Sequence, residues 1–279
     1  MSPKTFDYSQ FFANLYHLSP TTLLSLFFLL FFRLAPIVTI APFFGSKLPS
    51  PVKLGLMICF SLLLLPTVSL SSKTIPDFNT VFILYAIKEL FIGFILTFLA
   101  IIPFQIAQSA GILIDFLRGS SSLQVADPFT QTESSSIGNL YNYVLVVIFY
   151  GIGGVFFLFD SLILSYTIVP VDGFLHPMFF SLHVPFWTFV IAVATKIVAI
   201  SVQLSAPALL AILMTEVFLG IANRLAPQVQ ISFLGMSLKS LVGLAMLCVA
   251  WMVILQQLEK QTLFWLKEIN HTLLAFPKG

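Results

Sequence analysis

Apolar residues in this chain do not alternate with polar ones; they gather into long blocks separated by short polar stretches. Six blocks lie at about 21–44, 53–72, 79–104, 139–166, 185–214 and 234–257. A helix needs roughly 20 mostly apolar residues to cross the hydrocarbon layer, and every block reaches that length. Backbone groups in lipid must be hydrogen-bonded within their own segment, and runs this long exceed barrel strands. The pattern therefore predicts an all-α fold of about six long apolar helices. Between the third and fourth blocks the chain is less hydrophobic, and 117–136 reads as a central polar loop.

These helices are expected to be partly broken. Pro36, Pro42, Pro66, Pro103 and Pro207 lie inside or beside the blocks, and each removes a backbone donor and crowds the preceding turn. Arg33, Lys88, Glu89, Lys196 and Glu216 also fall in or beside apolar runs. A lone charge at mid-bilayer costs about 2.5–3.5 kcal/mol on insertion scales, so these helices should face protein or water on at least one side. After the last block, Leu258, Leu263, Leu266, Ile269 and Leu273 recur at helical spacing, with Glu259, Lys260, Lys267 and Glu268 between them. That spacing predicts an amphipathic C-terminal helix at about 256–276.

Composition sharpens this picture. The 279 residues are 58% hydrophobic and 9% charged, with mean hydropathy +1.02. A soluble domain carries about 25% charged residues, so the excess apolar surface needs lipid or protein partners. No polar stretch is long enough to fold separately, and 1–279 reads as a single integral membrane domain. The net charge of +2 is too near balance to indicate nucleic acid. Lys and Arg tie at five on each side of the predicted spans. Loops between spans taken alone put Lys47, Lys53, Arg118, Arg224 and Lys239 on the cytoplasmic side, with both termini outside. Met1 to Pro20 lacks the basic start, short apolar run and small-residue site of a signal peptide, so the first block is expected to stay in the mature chain.

Little here suggests chemistry. Cys59 and Cys248 sit in apolar runs, and His17, His176, His183 and His271 show no metal-ligand spacing. Gly151-Ile152-Gly153-Gly154 lacks the lysine of a phosphate loop and reads as a site of close helix packing. Asn270-His271-Thr272 matches a glycosylation triplet, a short pattern. With no nucleophile matched to a base, neither an enzyme, a cofactor nor a metal site is expected.

Two polar stretches stand out. In the central loop, Asp115 and Arg118 are spaced to pair on one helical face. Gly119, Ser120, Ser121, Ser122, Gln124, Asp127 and Pro128 follow, residues that break helices and favour turns. They make either a solvent loop or a small-residue plug within a conduit. The second stretch, Glu216 to Lys239, holds Glu216 and Asn223 about two turns apart, then Arg224, Pro227 and Gln228. It reads as a helix end with an ionic contact, or as a polar seam for a partner.

Three motifs in order carry a resemblance. Ile221-Ala222-Asn223-Arg224-Leu225-Ala226-Pro227-Gln228-Val229-Gln230-Ile231, continued by Gly235 and Lys239, resembles the signature of the FliR/SctT (YscT) family. The opening stretch is similar too, from Arg33 through Pro42 and Gly45 to Pro51, Lys53 and Gly55, and Asp127-Pro128 falls where the family has an Asp-Pro. Gln230 and Ser237 depart from the usual asparagine and proline. The resemblance implies the T component of a type III secretion export gate in the bacterial inner membrane. Its implied partners are R and S subunits, the U switch component, lipid and exported unfolded proteins. It also implies that residues 117–134 close the pore, and it points to the injectisome branch ahead of a flagellar homologue. The competing reading from another class is a small-solute secondary transporter, since broken helices with midplane charges occur there as well.

Overall fold

The computed structural model describes residues 19–45, 48–69, 78–119, 135–174, 185–225 and 231–274, apart from the side chains of 185–189, 231–234 and 271. Among these residues only helices and turns occur. The α-helices are α1 (Pro20–Ile40), α2 (Ser50–Ser69), α3 (Thr80–Leu117), α4 (Ser136–Gly151), α5 (Gly154–Ile168), α6 (Pro185–Leu225) and α7 (Ile231–Leu274), with a 3₁₀ turn at Pro42–Phe44. Five of them, α1, α2, α3, α6 and α7, are long and apolar enough to cross a bilayer, and α4 with α5 makes a sixth if taken as one broken span. The chain is thus a multi-pass membrane protein.

Of the five prolines, Pro42 does mark a break, just after the end of α1, but the other four do not. Pro36, Pro66, Pro103 and Pro207 all lie inside continuous helices. In an apolar setting, interrupting a helix would strand several backbone groups, whereas one proline removes a single donor. The true interruption in the 139–166 block comes at Gly153, whose φ of 73° lies in the left-handed region that glycine adopts freely. Likewise α3 continues through the less hydrophobic stretch as far as Leu117, and the amphipathic tail is the unbroken end of α7, not a separate helix. Within that tail Leu258, Trp265, Leu266, Ile269 and Leu273 are buried and Glu259, Lys260 and Lys267 exposed.

Three helices are very long. At 1.5 Å per residue, the 44 residues of α7 extend about 66 Å, and the 41 of α6 about 62 Å. Hydrocarbon is only about 30 Å thick.

The chain packs as two compact units. The first comprises Met1–Ile101, Gly153–Val190 and Trp265–Gly279. There α1 starts at an N-cap, Ser19, whose hydroxyl accepts from the Thr22 N–H at 3.2 Å. Leu26, Leu29, Leu30, Leu34, Ile37 and Val38 form its buried stripe, against which α2 packs. A Cβ at Gly93 would lie 2.3 Å from the Arg33 carbonyl oxygen, so glycine is what lets α3 lie directly on α1. Ser161 donates to Asn270 Oδ1 at 2.7 Å, which gives the glycosylation-like asparagine a packing role between α5 and the end of α7.

The second unit comprises Ile102–Ile152 and Ile191–Phe264. Its core joins Phe104, Ala107 and Ile114 of α3 to Tyr141, Leu145 and Phe149 of α4, and includes Ile212 and Ile254 from α6 and α7. Here too the backbones nearly touch. A Cβ at Gly111 would fall 2.3 Å from the Gly138 nitrogen and 2.4 Å from its Cα.

Candidate functional site

Charges in apolar helices have to find partners, and in the first unit they find one another. Arg33 of α1 and Glu89 of α3 are both fully buried. Arg33 Nε donates to Glu89 Oε2 at 2.5 Å and Nη2 to Oε1 at 2.9 Å, the two-pronged geometry that planar guanidinium and carboxylate groups favour. Its other donors reach Ser165 Oγ and the Val169 carbonyl, each at 2.9 Å, and its face lies 3.9 Å from the Tyr166 ring centroid. Lys88 Nζ sits 2.8 Å from Glu89 Oε1 and donates to the carbonyls of Pro170, Val171 and Gly173 at 2.9, 3.1 and 2.9 Å.

Geometry explains how two buried cations coexist with the one fully buried anion, Glu89, while Asp172 adds negative charge near Lys88. The accepting carbonyls belong to the C-terminal end of α5 and the turn after it, where the helix dipole presents partial negative charge. Taking an ion out of water costs several kcal/mol, and only full hydrogen bonding of this kind offsets it. The knot ties α1, α3 and the end of α5 together. In the sequence Lys88 and Glu89 are visible as an adjacent pair, but nothing there marks Ser165, Tyr166 or the 169–173 carbonyls as their partners. The one available signal is that an arginine and a glutamate in separate apolar helices need each other.

The opening motif lies beside this knot in sequence. Pro42 begins the 3₁₀ turn and Gly45, at φ 92°, ends it. Pro51 stands in the first turn of α2, where its missing N–H costs nothing. Lys53 donates to the Thr39 carbonyl at 3.1 Å, capping the last turn of α1. Gly55 faces open space.

In the second unit, Asp115 and Arg118 pair at 2.7 Å, as their spacing predicts. Asp115 Oδ2 also accepts from Ser135 Oγ at 2.6 Å and from the Ile137 N–H at 2.9 Å. Ser135 in turn accepts from the Gly138 N–H at 2.9 Å as the N-cap of α4. Gly119, at φ 82°, ends α3. Ser120, Ser121, Ser122, Gln124, Asp127 and Pro128 lie outside the described residues, as do Pro227 and Gln228, and His17, His176 and His183.

Glu216 meets Lys239 at 2.7 Å, not Arg224, because Lys239 projects from α7 toward the face of α6 that bears Glu216. Glu216, Leu219, Gly220 and Asn223, spaced along one helical face, line a cleft of about 240 Å³ with Gly235, Met236 and Lys239. Arg224 is exposed in the last turn of α6, where a cation suits the dipole. The Glu216 side chain is 55% exposed. Exposed pairs are worth about 0–1 kcal/mol. Lys239→Ala should therefore shift the unfolding free energy of the purified chain by less than about 1 kcal/mol. A loss of several kcal/mol in a denaturation series would show that this pair carries the hairpin.

These arrangements clamp helices and cap their ends. Among the described residues no group of three or more His, Cys, Asp or Glu is placed to hold a metal ion.

Comparison with known proteins agrees with a membrane export component. Residues 24–264 match the family described as bacterial export proteins, family 1. The chain is 29% identical over 217 residues to the surface presentation of antigens protein SpaR of Shigella flexneri, covering 77% of this chain and 80% of that one. It is 27% identical over 216 residues to the Yop proteins translocation protein T of Yersinia pestis, covering 77% and 81%. It is also 27% identical over 234 residues to the flagellar biosynthetic protein FliR of Bacillus subtilis, covering 82% and 86%.

Proposed function

The chain belongs to the bacterial export proteins, family 1, and from that premise we propose that it is a structural, pore-forming subunit of a type III protein secretion export gate. In this reading it assembles with R and S subunits and the U switch component to pass unfolded proteins across the bacterial inner membrane. It catalyses no reaction; energy for transport is supplied elsewhere. The central segment 117–134 closes the pore, and Glu216, Asn223, Arg224, Pro227, Gln228 and Lys239 form a polar seam toward neighbouring subunits.

The observation that carries this reading is the family match across 24–264, which takes in almost every described helix. The surface supports it. Leu225 is 81% exposed, Val249 79% and Phe156 76%, so the second half of the chain in particular has apolar faces that its own fold leaves uncovered. A flagellar homologue is the second reading, favoured by the Bacillus FliR likeness, whose 27% identity equals that of the Yersinia protein.

Two measurements test the proposal. Replacing residues 120–126 with a shorter linker should raise ion leakage through the assembled complex, and an unchanged leak would remove the closing role. Arg224→Ala should lower the yield of the hetero-oligomer purified in mild detergent. Normal assembly and secretion by that variant would remove Arg224 from the seam.

A further inference from the structure

Charges bracket the apolar parts of α6 and α7 in the second unit. Residues 197–215 of α6 and 240–258 of α7 contain no Asp, Glu, Lys, Arg or His. Each stretch is about 28 Å of helix, close to the roughly 30 Å of hydrocarbon in a bilayer. Lys196 and Glu216 close the first stretch, and Lys239 and Glu259 close the second.

The brackets on the two helices lie level with each other. A Cβ on Gly235 would stand 3.2 Å from Leu219 Cδ1, Lys239 Nζ meets Glu216 Oε1 at 2.7 Å, and a Cβ on Gly243 would stand 2.9 Å from Ile212 Cδ1. Each step back along α6 is thus matched by an equal step forward along α7. Continued, this register sets Lys196 beside Glu259 and Lys260. Lys196 Nζ lies 5.9 Å from the Phe264 ring centroid, one turn past Lys260, because helical side chains lean toward their own N-terminus.

Between the two charged levels the outward surface is apolar, with Val198, Leu210 and Met214 exposed on α6 and Leu241, Val249 and Val253 on α7. The hydroxyls of Ser201, Ser205 and Thr215 are buried and donate to the carbonyls of Ile197, Ser201 and Ala211. Gln203 and Gln256 are the exposed amides, and both lie in the half nearer Lys196. A protein neighbour sets no fixed length for such a face, nor any reason for charges to stand at the same two levels on both helices. A bilayer demands both, since ions are shut out of hydrocarbon and held among the headgroups.

We infer that a phospholipid bilayer covers this face, with its hydrocarbon boundaries at the Glu216–Lys239 level and the Lys196–Glu259 level. The inference goes beyond the export-gate reading and stands with or without it. Val217, Phe218, Ile221 and Leu225, exposed beyond Glu216, then lie outside the hydrocarbon, alongside the proposed seam.

The test uses the full chain, purified in mild detergent with whatever subunits stay bound and reconstituted into phosphatidylethanolamine–phosphatidylglycerol vesicles. Cys59→Ser and Cys248→Ser remove the two exposed thiols. A nitroxide is then attached at Leu225→Cys, Leu241→Cys or Val249→Cys. Its collisions with dissolved oxygen, which concentrates in hydrocarbon, are compared with those of a water-soluble nickel chelate. The oxygen-to-nickel ratio should be at least about tenfold higher at Val249 than at Leu225, because a polar solute is excluded from hydrocarbon. Leu241, next to the boundary, should fall between them. Slow collisions with both reagents at Val249 would mean that protein covers the face, and fast nickel collisions would mean water. Either result overturns the inference. A ratio at Leu225 equal to that at Val249 overturns it as well, by placing the boundary beyond Glu216. Should Val249→Cys not fold, Met252→Cys, about one turn along the same exposed face, takes its place under the same outcomes.

Discussion

Replacing Arg33 with alanine is expected to cost about 3–5 kcal/mol of stability, the range for removing one partner of a buried ion pair. The loss should appear directly in the unfolding free energy of the purified protein in detergent. Arg33 and Glu89 are both 0% exposed, so the variant would leave the carboxylate buried with Lys88 alone. Other lost contacts matter less: the ring stacking on Tyr166 contributes up to about 2 kcal/mol at a dry site. Glu89 loses both charge-assisted bonds of its two-pronged partner and keeps the single Lys88 contact, and that loss costs more. Arg33→Met combined with Glu89→Leu should not recover the loss, because it takes the Glu89 carboxylate away from the buried Lys88 ammonium. A single-variant loss below about 1 kcal/mol would mean that water reaches Glu89 and that the knot is not dry.

Gly111→Ala should be nearly as damaging, by a different route. The new Cβ would stand 2.3 Å from the Gly138 nitrogen and 2.6 Å from the Ile137 carbonyl carbon. Those are backbone atoms, so no rotamer change can yield and α3 must move off α4. Overpacking typically costs about 1–3 kcal/mol, and a clash with backbone belongs at the upper end. Gly55→Ala makes the control, because nothing lies within 4 Å of its added Cβ. There the exchange should stabilise α2 by about 0.5–1 kcal/mol, since glycine is a poor helix former. Opposite signs in matched denaturation experiments would support the helix contact. Equal effects would show that α3 and α4 are not in backbone contact at that point.

Sequence made the apolar helices legible because each needs a run that no other structure tolerates in lipid. It was less informative about where they stop. Gln108 and Asp115 look like loop residues in a composition count, yet they are seven apart and share a face of α3. There they meet Asn142 and Ser135, so the part of the polar stretch up to Leu117 is a stripe on a helix. Four of the prolines misled in the other direction, since the cost of ending a helix in an apolar setting exceeds that of one missing donor. The ionic knot was half visible. Its charges could be seen, but Lys88 beside Glu89 concealed that the stronger partner was Arg33, 56 positions away. The helix-end carbonyls that complete it carry no side-chain signature at all. Of the second polar stretch, the shared face of Glu216 and Asn223 was readable from a 3.6-residue period, whereas the Glu216–Lys239 contact depended on how α6 meets α7.

The length of α6 and α7 bears on how the cell must handle this chain. Each is about twice as long as hydrocarbon is thick, and both are lined with exposed apolar residues. A solitary copy would hold part of that surface in the headgroup layer or in water. Its persistence should therefore follow mass action: abundant binding partners stabilise the folded form, and their scarcity withdraws that support. Under the assembly proposed above, copies made in excess of the partner subunits would be orphans, open to proteolysis on a timescale set by their unfolding rate. In that proposed assembly, expression balance across the subunits, rather than the intrinsic stability of the single chain, would govern how many finished complexes a membrane contains.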